Sequence, residues 1–279
     1  MRVVLVHWKQ PERLRATVAA FREQDGIDVD ITVVDNGGAP ELRGVEVVRL
    51  DENRGFGPAA NVGLRRFLGD AGDGEWVAVA PHDALPAPDC LSRLLEACDE
   101  RPRAGLACAD YGDGATPVVD PYFGGIPGPG TVTEGWEPAG YPHGTLLVAR
   151  RSCLDEIGLF DERYFAYCEE ADLGLRAREA GWEVGLVRGA MVANPNLHGA
   201  LRVVSYLQLR NTLLLVRDHW GLYHAGVRFQ LALLQLGIGA VWPARRDPYW
   251  HLAGKLRALA DFARGRFGPP PADLSSEGQ

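Results

Sequence analysis

Short apolar runs alternate with helical stretches along most of this chain, and this alternation limits the folds that it can adopt. Four runs have the length and the β-branched content of buried strands; they are residues 3–6, 29–34, 45–50 and 76–80. Helical spacing of apolar residues predicts helices between them, over 11–24, 55–67 and 89–100. Strands separated by helices of roughly 10–15 residues are typical of βαβ units. The sequence therefore predicts an α/β fold, with a mostly parallel sheet flanked by helices.

The rest of the chain is less regular. The stretch 112–142 is rich in Gly and Pro, so we expect a long loop or an irregular excursion there. Periodicity then predicts a strand over 145–149, a helix over 151–157, a helix over 169–180 and a strand over 182–187. From Leu201 onward we expect helices with breaks near Gly221 and Pro243. These patterns predict an α/β domain over 1–200, a helical appendage over 201–268 and a disordered tail over 269–279.

Charge and cysteine content exclude several classes of protein. The 279 residues carry a net charge of −8, which argues against a general nucleic-acid binder. Residues 201–268 nevertheless hold ten basic and three acidic side chains, so this segment either faces an anionic partner or packs on the acidic remainder. Five cysteines without a CxxC pair predict reduced thiols in a cytoplasmic protein. The longest apolar run, 229–242, falls short of the ~20 residues that span a bilayer, although contact with a membrane surface stays open.

Polar clusters follow three of the predicted strands. They are Asp35-Asn36, the segment 53–61 and His82-Asp83. The carboxyl ends of parallel strands meet at one edge of a sheet, and ligands of such sheets bind beyond that edge. We therefore expect these side chains to lie together at a ligand site.

Four strings, in this order, resemble family 2 glycosyltransferases with the GT-A fold, and especially their rhamnosyltransferase-like branch. They are 33–38 (VVDNGG), 53–63 (NRGFGPAANVG), 158–182 with GLFDERYF, EEADL and AGW, and finally His198, Arg210-Asn211 and 218–220 (DHW). The resemblance implies transfer of a sugar from a nucleotide-diphosphate donor to a hydroxyl acceptor, with inversion at the anomeric carbon. It also implies a role in bacterial cell-wall or polysaccharide biosynthesis.

The resemblance assigns the donor contacts to residues at the strand ends and on the later helix. They are His7, Asp35, Asn53, Gly55, Asn61, His82, Asp83 and Arg210. A leaving diphosphate usually has its charge neutralised by Mn²⁺ or Mg²⁺ on carboxylate oxygens. The Asp-x-Asp signature of the family reads Pro81-His82-Asp83 here, so Asp83 is the candidate metal ligand, with help from His198 or His82, and we expect weak binding. A turn role for Asp83 and simple solvation of His198 are the alternatives.

A base must take the proton from the acceptor hydroxyl. Glu170 stands where the family places its catalytic Asp, so the resemblance implies that Glu170 is this base, with Glu169 next and Asp172 third. Acids in a first helical turn also stabilise the helix dipole, which is the alternative reading of the two glutamates. Asp172 fits better as an ion-pair partner of Arg176, four residues further on.

The acceptor side carries weaker signals. Asp161 and Glu162 precede the helix of the base, and Trp136 and His143 lie near the end of the Gly/Pro-rich stretch. We expect these four to contact the acceptor, although each also suits a cap or a packing role. Arg210 and Arg217 lie on one helical face, and with the apolar run they fit a segment that meets an anionic membrane and a polyprenyl-linked acceptor. The same segment fits a packing face or an oligomer interface.

Two other functions stay open. The altered metal signature fits a protein that binds nucleotide sugars and has lost catalysis. A nucleotidyltransferase also uses an α/β sheet and acidic metal ligands, but that class is expected to carry a Gly-rich loop after the first strand. The sequence there is His7-Trp8-Lys9-Gln10-Pro11, without glycine, so we rank this function last.

Overall fold

A computed structural model describes residues 1–70, 72, 74–194 and 201–275. The strands are β1 Arg2–His7, β2 Asp30–Asp35, β3 Glu46–Arg49, β4 Trp76–Pro81, β5 Leu85–Pro86, β6 Ala104–Asp110, β7 Ala115–Asp120, β8 Gly124–Pro129, β9 Gly135–Pro138, β10 Leu147–Arg150 and β11 Glu183–Ala193. The helices are α1 Pro11–Arg22, α2 Phe56–Gly69, α3 Cys90–Asp99, α4 Arg151–Ile157, α5 Glu169–Glu179, α6 Leu201–Val241, α7 Leu252–Ala263 and α8 Ala272–Ser275, with a 3₁₀ turn at Pro243–Arg245.

The main sheet has the order β3-β2-β1-β4-β10-β6-β11-β5, and β9 pairs with β11 outside this path. Strands β1 to β4 are parallel, and β6 and β11 are parallel to each other. Strand β10 runs antiparallel between β4 and β6. The predicted α/β fold with flanking helices is therefore confirmed, and its carboxyl-terminal half is a mixed sheet.

Alternating side chains of the central strands fill two cores. Val3 and Leu5 belong to the core that α1 and α3 complete, whereas Val4 and Val6 belong to the core under α2. Helix α2 approaches β1 closely because Gly63 lies over Val4, where an added Cβ would collide with the valine side chain. This contact fixes α2 against the middle of β1, while backbone pairing holds β1, β2 and β4 in register.

The Gly/Pro-rich stretch 112–142 differs from the expectation of a loop. Within it β7 pairs with β8, and β9 adds to the main sheet beside β11. The sequence of β8 is GGIPGP, which has no strand periodicity. Its extended form depends on pairing with β7, because the sequence of β8 supplies no hydrophobic alternation of its own.

The chain divides into two compact units. The first comprises Met1–Val118, Pro127–Asp161 and Glu170–Asn196, and the second comprises Val119–Ile126, Glu162–Glu169 and Leu197–Gln279. The second unit thus contains the expected helical region together with two short segments from earlier in the chain. Its core lies between α6 and α7 and includes Tyr206, Leu213, Ala258 and Leu259.

Helix α6 bends where its sequence predicts a break, since Gly221 has a φ of 83°. Disorder was expected from residue 269, but the described part of that tail contains α8, whose Leu274 is buried in the α6–α7 core. Among the described residues, no helix is both long and apolar enough to cross a bilayer.

Candidate active site

A histidine and an aspartate close the first two strands. His7 and Asp35 are the last residues of β1 and β2 and are paired in register. The Nδ1 atom of His7 lies 2.9 Å from Oδ1 of Asp35, and Nε2 of His7 accepts the backbone N–H of Gln10 at 3.2 Å. Because Nε2 accepts, the proton of this imidazole is on Nδ1 and is donated to Asp35. The two contacts therefore fix the orientation of the ring at the end of β1.

Asp35 stays ionised at this position. Burial alone would raise the pKa of Asp35, but hydrogen bonds from His7 and from the backbone N–H groups of Ala39 and Gly37 outweigh it and hold the pKa below its usual value. Gly37 donates to Oδ1 at 2.8 Å and Ala39 to Oδ2 at 3.0 Å. Among the described residues Oδ2 accepts only the Ala39 bond, so this oxygen retains acceptor capacity for a ligand N–H.

His82 and Asp83 follow β4 at the same edge. The His82 ring stands edge-on to His7 with centroids 5.3 Å apart, and its backbone N–H donates to the Val6 carbonyl at 3.0 Å. Burial is the main cause that lowers the pKa of His82. Its Nε2 atom is buried and has no hydrogen-bond partner among the described residues. Such an atom is costly to leave unsatisfied and suits a ligand contact.

Asp83 is a half-buried carboxylate beside a single distant cation. Its Oδ1 accepts from Asn194 Nδ2 at 3.3 Å, and its Oδ2 lies 3.9 Å from Nη1 of Arg13. Within the described ranges, no group of three His, Cys, Asp or Glu side chains is arranged to hold a metal ion. His198, the second expected ligand, lies outside the described residues. Asp83 is thus a single carboxylate at this position, and its role as a metal ligand stays a prediction.

The loop before α2 is held by a neighbouring asparagine. Asn36 donates from Nδ2 to the Gly55 carbonyl at 3.1 Å and accepts the Arg54 N–H on Oδ1 at 2.9 Å. Asn53 accepts the Gly55 N–H on Oδ1 at 2.9 Å. Gly55 has a φ of 91°, which favours glycine. Asn53 and Gly55 therefore shape the amino terminus of α2, and Asn36, which the sequence placed in the polar cluster after β2, supports this loop.

Asn61 differs from its expected role as a donor contact. Its carboxamide nitrogen donates to the Phe160 carbonyl at 2.9 Å, and its oxygen accepts the Phe160 N–H at 3.0 Å. The residue is buried in α2. Its carboxamide therefore ties α2 to the segment after α4, and both ends are used within the protein interior.

Glu170 lies in the first turn of α5, and its carboxyl group packs against Gly144 so closely that an added Cβ there would collide with it. Burial raises the pKa of Glu170 to about 7. Gly144 precedes β10, whose Leu147 pairs with Val79 of β4 and Cys108 of β6. Because β10 runs antiparallel to both strands, its start lies at their carboxyl ends. Glu170 is therefore at the same edge of the sheet as His82 and Asp83.

The other two acids of α5 have different surroundings. Glu169 is buried as the first residue of the helix. Asp172 accepts from Nε and Nη2 of Arg176 at 2.9 and 2.8 Å, and Arg176 also donates to the Ile157 and Leu159 carbonyls. The predicted pair between Asp172 and Arg176 is confirmed. Asp172 is consequently engaged in holding α5 to the end of α4.

Two of the expected acceptor residues are packed into the first unit. Trp136 of β9 covers Gly185 of β11 and lies 5.2 Å from the Arg101 guanidinium, so its ring has a packing partner on the sheet. His143 stacks on Tyr111 at 4.0 Å, and its Nε2 donates to the Ala109 carbonyl at 2.6 Å. Burial lowers the pKa of His143 to about 4. Both rings are therefore packed within the first unit, and neither is an exposed platform for a sugar.

The last two expected acceptor residues, Asp161 and Glu162, are both half-buried. Asp161 ends a segment of the first unit, and Glu162 opens a segment of the second. They precede α5 as predicted, and their contact with an acceptor stays a prediction.

Arg210 contradicts its expected contact with a diphosphate. The residue is completely buried, and burial lowers the pKa of its guanidinium. Nε donates to Asn211 Oδ1, Nη1 to the Tyr206 hydroxyl, and Nη2 to the Gly268 and Tyr164 carbonyls. Its donors are directed into the second unit, so Arg210 is a structural residue there.

The neighbouring Asn211 holds a strained segment. Its Nδ2 lies within 2.9 Å of the Tyr164, Ala166 and Tyr167 carbonyls. Phe165, Tyr167 and Cys168 all have φ between 66° and 73°, a region that side chains rarely adopt. Such strain persists only where neighbouring contacts enforce it. The sequence singled out the adjacent Arg210-Asn211 pair, but it did not indicate which backbone carbonyls Asn211 contacts.

A buried ion cluster in the first unit had no sequence signal. Arg188 of β11 donates from Nε to Glu137 at 2.6 Å and from Nη1 to Asp110 at 3.2 Å. Burial would raise the pKa of Glu137, but the Thr131 N–H and Arg188 hold it below its usual value. Asp110 is the last residue of β6. The cluster therefore fixes the carboxyl end of β6 beside the candidate site.

Comparison with known proteins agrees with this architecture. The family model described as "Glycosyl transferase family 2" matches residues 3–158. An N-acetylglucosaminyl-diphospho-decaprenol L-rhamnosyltransferase of Mycobacterium tuberculosis is 30% identical over 261 residues, covering 79% of this chain and 84% of the relative.

Two solved structures share the fold at low sequence identity. GalNAc-T7 with UDP, GalNAc and Mn²⁺ has a TM-score of 0.64 at 16% identity, over 94% of this chain and 54% of its own. The mannosyltransferase PcManGT from Pyrobaculum calidifontis, in complex with GDP-Man and Mn²⁺, has a TM-score of 0.56 at 16% identity, over 95% of this chain and 86% of its own. The likeness to both structures confirms the GT-A fold that the sequence predicts. Because the family model matches more than half of the chain and the rhamnosyltransferase aligns along most of it, this chain belongs to glycosyl transferase family 2.

Proposed function

We propose that this glycosyltransferase transfers a sugar with inversion, from a nucleoside-diphosphate donor to a hydroxyl of a polyprenyl-linked acceptor, and that Glu170 is the base. The observation that carries the proposal is the Glu170 carboxyl, which packs against Gly144 at the sheet edge that also holds Asp83. Burial raises the pKa of this carboxyl to about 7. A general base works best when its pKa is near the working pH, because it is then both ionised and basic enough to accept a proton. The aligned rhamnosyltransferase, named for a decaprenol-linked substrate, supports the acceptor class.

The donor half of the proposal rests on the strand ends. Asp35 keeps an acceptor oxygen for a base N–H of the nucleotide, and the His7 ring fixes its orientation. The amino terminus of α2 carries no acidic residue in its first turn, so its N–H groups attract a diphosphate. The buried Nε2 of His82, whose ring lies beside that of His7, supplies one more polar contact at this edge.

The acceptor hydroxyl loses its proton to the Glu170 carboxylate as its oxygen attacks the anomeric carbon. The bond from that carbon to the diphosphate oxygen breaks on the opposite face, so the configuration inverts and the nucleoside diphosphate leaves with the electron pair. A proton therefore ends on Glu170 Oε and the negative charge on the diphosphate.

Asp83 is the residue that would hold a divalent cation, Mn²⁺ or Mg²⁺. Mg²⁺ is commonly held by one or two carboxylates together with substrate phosphates, and a single described carboxylate fits that arrangement. Such an ion supplies charge neutralisation for the leaving diphosphate. His198 remains a proposed additional ligand. We expect Asp83→Asn to lower the affinity for Mn²⁺ in the presence of a nucleoside diphosphate, measured by calorimetry.

The test is a transfer assay with UDP-, dTDP- and GDP-sugars and a polyprenyl-diphosphate N-acetylglucosamine acceptor. We expect one donor to give a product whose anomeric configuration, determined by NMR, is opposite to that of the donor. Glu170→Gln should abolish transfer while leaving donor binding intact. Glu179→Gln, at an exposed position of the same helix, is the matched control and should transfer normally.

The other outcomes identify the alternatives. Binding of a donor without transfer to any acceptor would support a protein that has lost catalysis. Release of pyrophosphate would support a nucleotidyltransferase. Full activity of both Glu170→Gln and Glu169→Gln would overturn the assignment of the base.

A further inference from the structure

The part of α6 after its bend exposes an uncharged apolar stripe. Successive helical residues turn by about 100°, so residues separated by three, four or seven positions share a face. The stripe consists of six exposed side chains, which are Leu222, Tyr223, Leu233, Leu234, Ala240 and Val241. Gly226, Gln230 and Gly237 fill the same face and are exposed as well. These nine positions fall within an arc of about 120°.

This face is unusual for a surface helix. Leu222 and Tyr223 are 78% and 74% exposed, and Leu234 is 60% exposed. The opposite face carries Ala232 and Leu236, which are buried in the α6–α7 core. The helix is therefore apolar on both its buried and its exposed sides, whereas an exposed helix face normally carries charged residues. A contiguous apolar surface of this kind marks an interaction site.

Charge and aromatic residues at the end of the stripe indicate the occupant. The stretch from His219 to Arg246 contains no acidic residue, although the whole chain has a net charge of −8. Trp242 and Tyr249 are exposed in the turn that follows the helix, beside Arg245. No ion pair to Arg245 is formed within the described part of the chain. Trp and Tyr rings beside arginines are typical of residues at the head-group level of a bilayer.

We propose that the apolar stripe and the turn at 242–249 dock on the surface of an anionic lipid membrane. The stripe is about 30 Å long, since residues 222–241 rise 1.5 Å each, and it would lie flat in the interface. Arg245 would meet lipid phosphates, because Asp247, the one acidic residue of this turn, is already paired with Lys255 at 2.8 Å. A second copy of the chain would place one uncharged stripe on another and would offer Arg245 only Asp247 from this segment, a carboxylate that Lys255 already pairs.

Flotation of the full-length protein with lipid vesicles tests the proposal without donor or acceptor, so its outcome is independent of the transfer assay. The wild type should float with phosphatidylcholine vesicles that contain phosphatidylglycerol, and less with phosphatidylcholine alone or at high salt. Leu234→Asp should lower the bound fraction roughly tenfold, because it removes apolar area from the interface and adds a negative charge. Arg245→Gln should reduce binding only to the vesicles with phosphatidylglycerol.

Two matched variants lie outside the stripe. Val132→Asp changes another exposed aliphatic residue, and Arg43→Gln changes another exposed arginine. Both should float as the wild type does. Failure of the wild type to float, or equal flotation of Leu234→Asp, would overturn the proposal. A lipid-free dimer that Leu234→Asp dissociates in sedimentation velocity, with no vesicle binding, would overturn it in favour of a dimer interface.

Discussion

Replacing Glu170 by Gln should make the folded protein more stable at alkaline pH while it removes transfer. The pKa of this carboxyl is raised from 4.5 to about 7 because the group is buried. A group with a raised carboxyl pKa destabilises the fold when it is ionised. The penalty is absent below pH ~4.5, grows as the pH rises towards ~7, and is complete above it.

The size of this free-energy penalty follows from the shift in the pKa of Glu170. Each pKa unit corresponds to ~1.4 kcal/mol, so the ionised Glu170 costs on the order of 3 kcal/mol above neutral pH. A neutral glutamine of nearly the same shape does not carry that cost. For a chain of this size, 1 kcal/mol corresponds to roughly 2–4 °C in Tm. We therefore expect the Tm of Glu170→Gln to exceed that of the wild type by several degrees at pH 8.

Thermal unfolding at pH 8 and at pH 4.5 measures the effect. The difference between Glu170→Gln and the wild type should vanish at the lower pH, where both side chains are neutral. Glu179→Gln, the exposed control on α5, should show no difference at either pH. The wild-type transfer rate should also rise with pH through about 7, as the base ionises. Equal stabilities of Glu170→Gln and the wild type at pH 8 would refute the reasoning, because the carboxyl would then carry no burial penalty.

Three further substitutions test the site and its support. Gly144→Ala should displace the Glu170 carboxyl, because the new Cβ would collide with it, and should lower kcat about 100-fold with little change in the KM for donor. Gly69→Ala is the control, because no atom lies near the position of its Cβ. A normal kcat of Gly144→Ala would argue against a fixed base. Asp35→Asn should weaken nucleoside-diphosphate binding about tenfold in calorimetry, because a charged hydrogen bond becomes a neutral one; unchanged affinity would place the nucleobase elsewhere. Arg188→Met should lower the free energy of unfolding by about 3–5 kcal/mol, because two buried carboxylates lose their cation; a Tm equal to that of the wild type would show that water replaces the guanidinium.

The first half of the fold was predictable because the apolar pattern within each segment determines its secondary structure. Apolar runs of strand length alternate with amphipathic helices from β1 to α3, and the carboxyl ends of β1, β2 and β4 carry the polar residues. Strands β7 to β9 were not predictable in the same way. The sequence of β8 has no apolar alternation, so only pairing with its neighbour makes it extended.

The positions of the acids at one edge of the sheet were predictable, and those of the residues that support them were less so. Asp35, Asp83 and Glu170 could be found because they end strands or begin a helix, and the resemblance supplied their order. Gly144 gave no signal, since its importance comes from a carboxyl that is distant along the chain. Arg210 was misplaced because arginine is rarely buried, and the sequence alone favours a surface role for it.

The link between Asn211 and the backbone of 164–167 limits how the length of α6 can change. One residue inserted between Leu201 and Arg210 would rotate Asn211 by about 100° about the helix axis. The amide would then point away from the carbonyls that it holds, and the left-handed residues before α5 would lose their restraint. Point substitutions on the exposed side of this turn leave that restraint in place. The first half of α6 therefore acts as a fixed-length spacer, in which insertions and deletions are far less tolerable than changes of side chain.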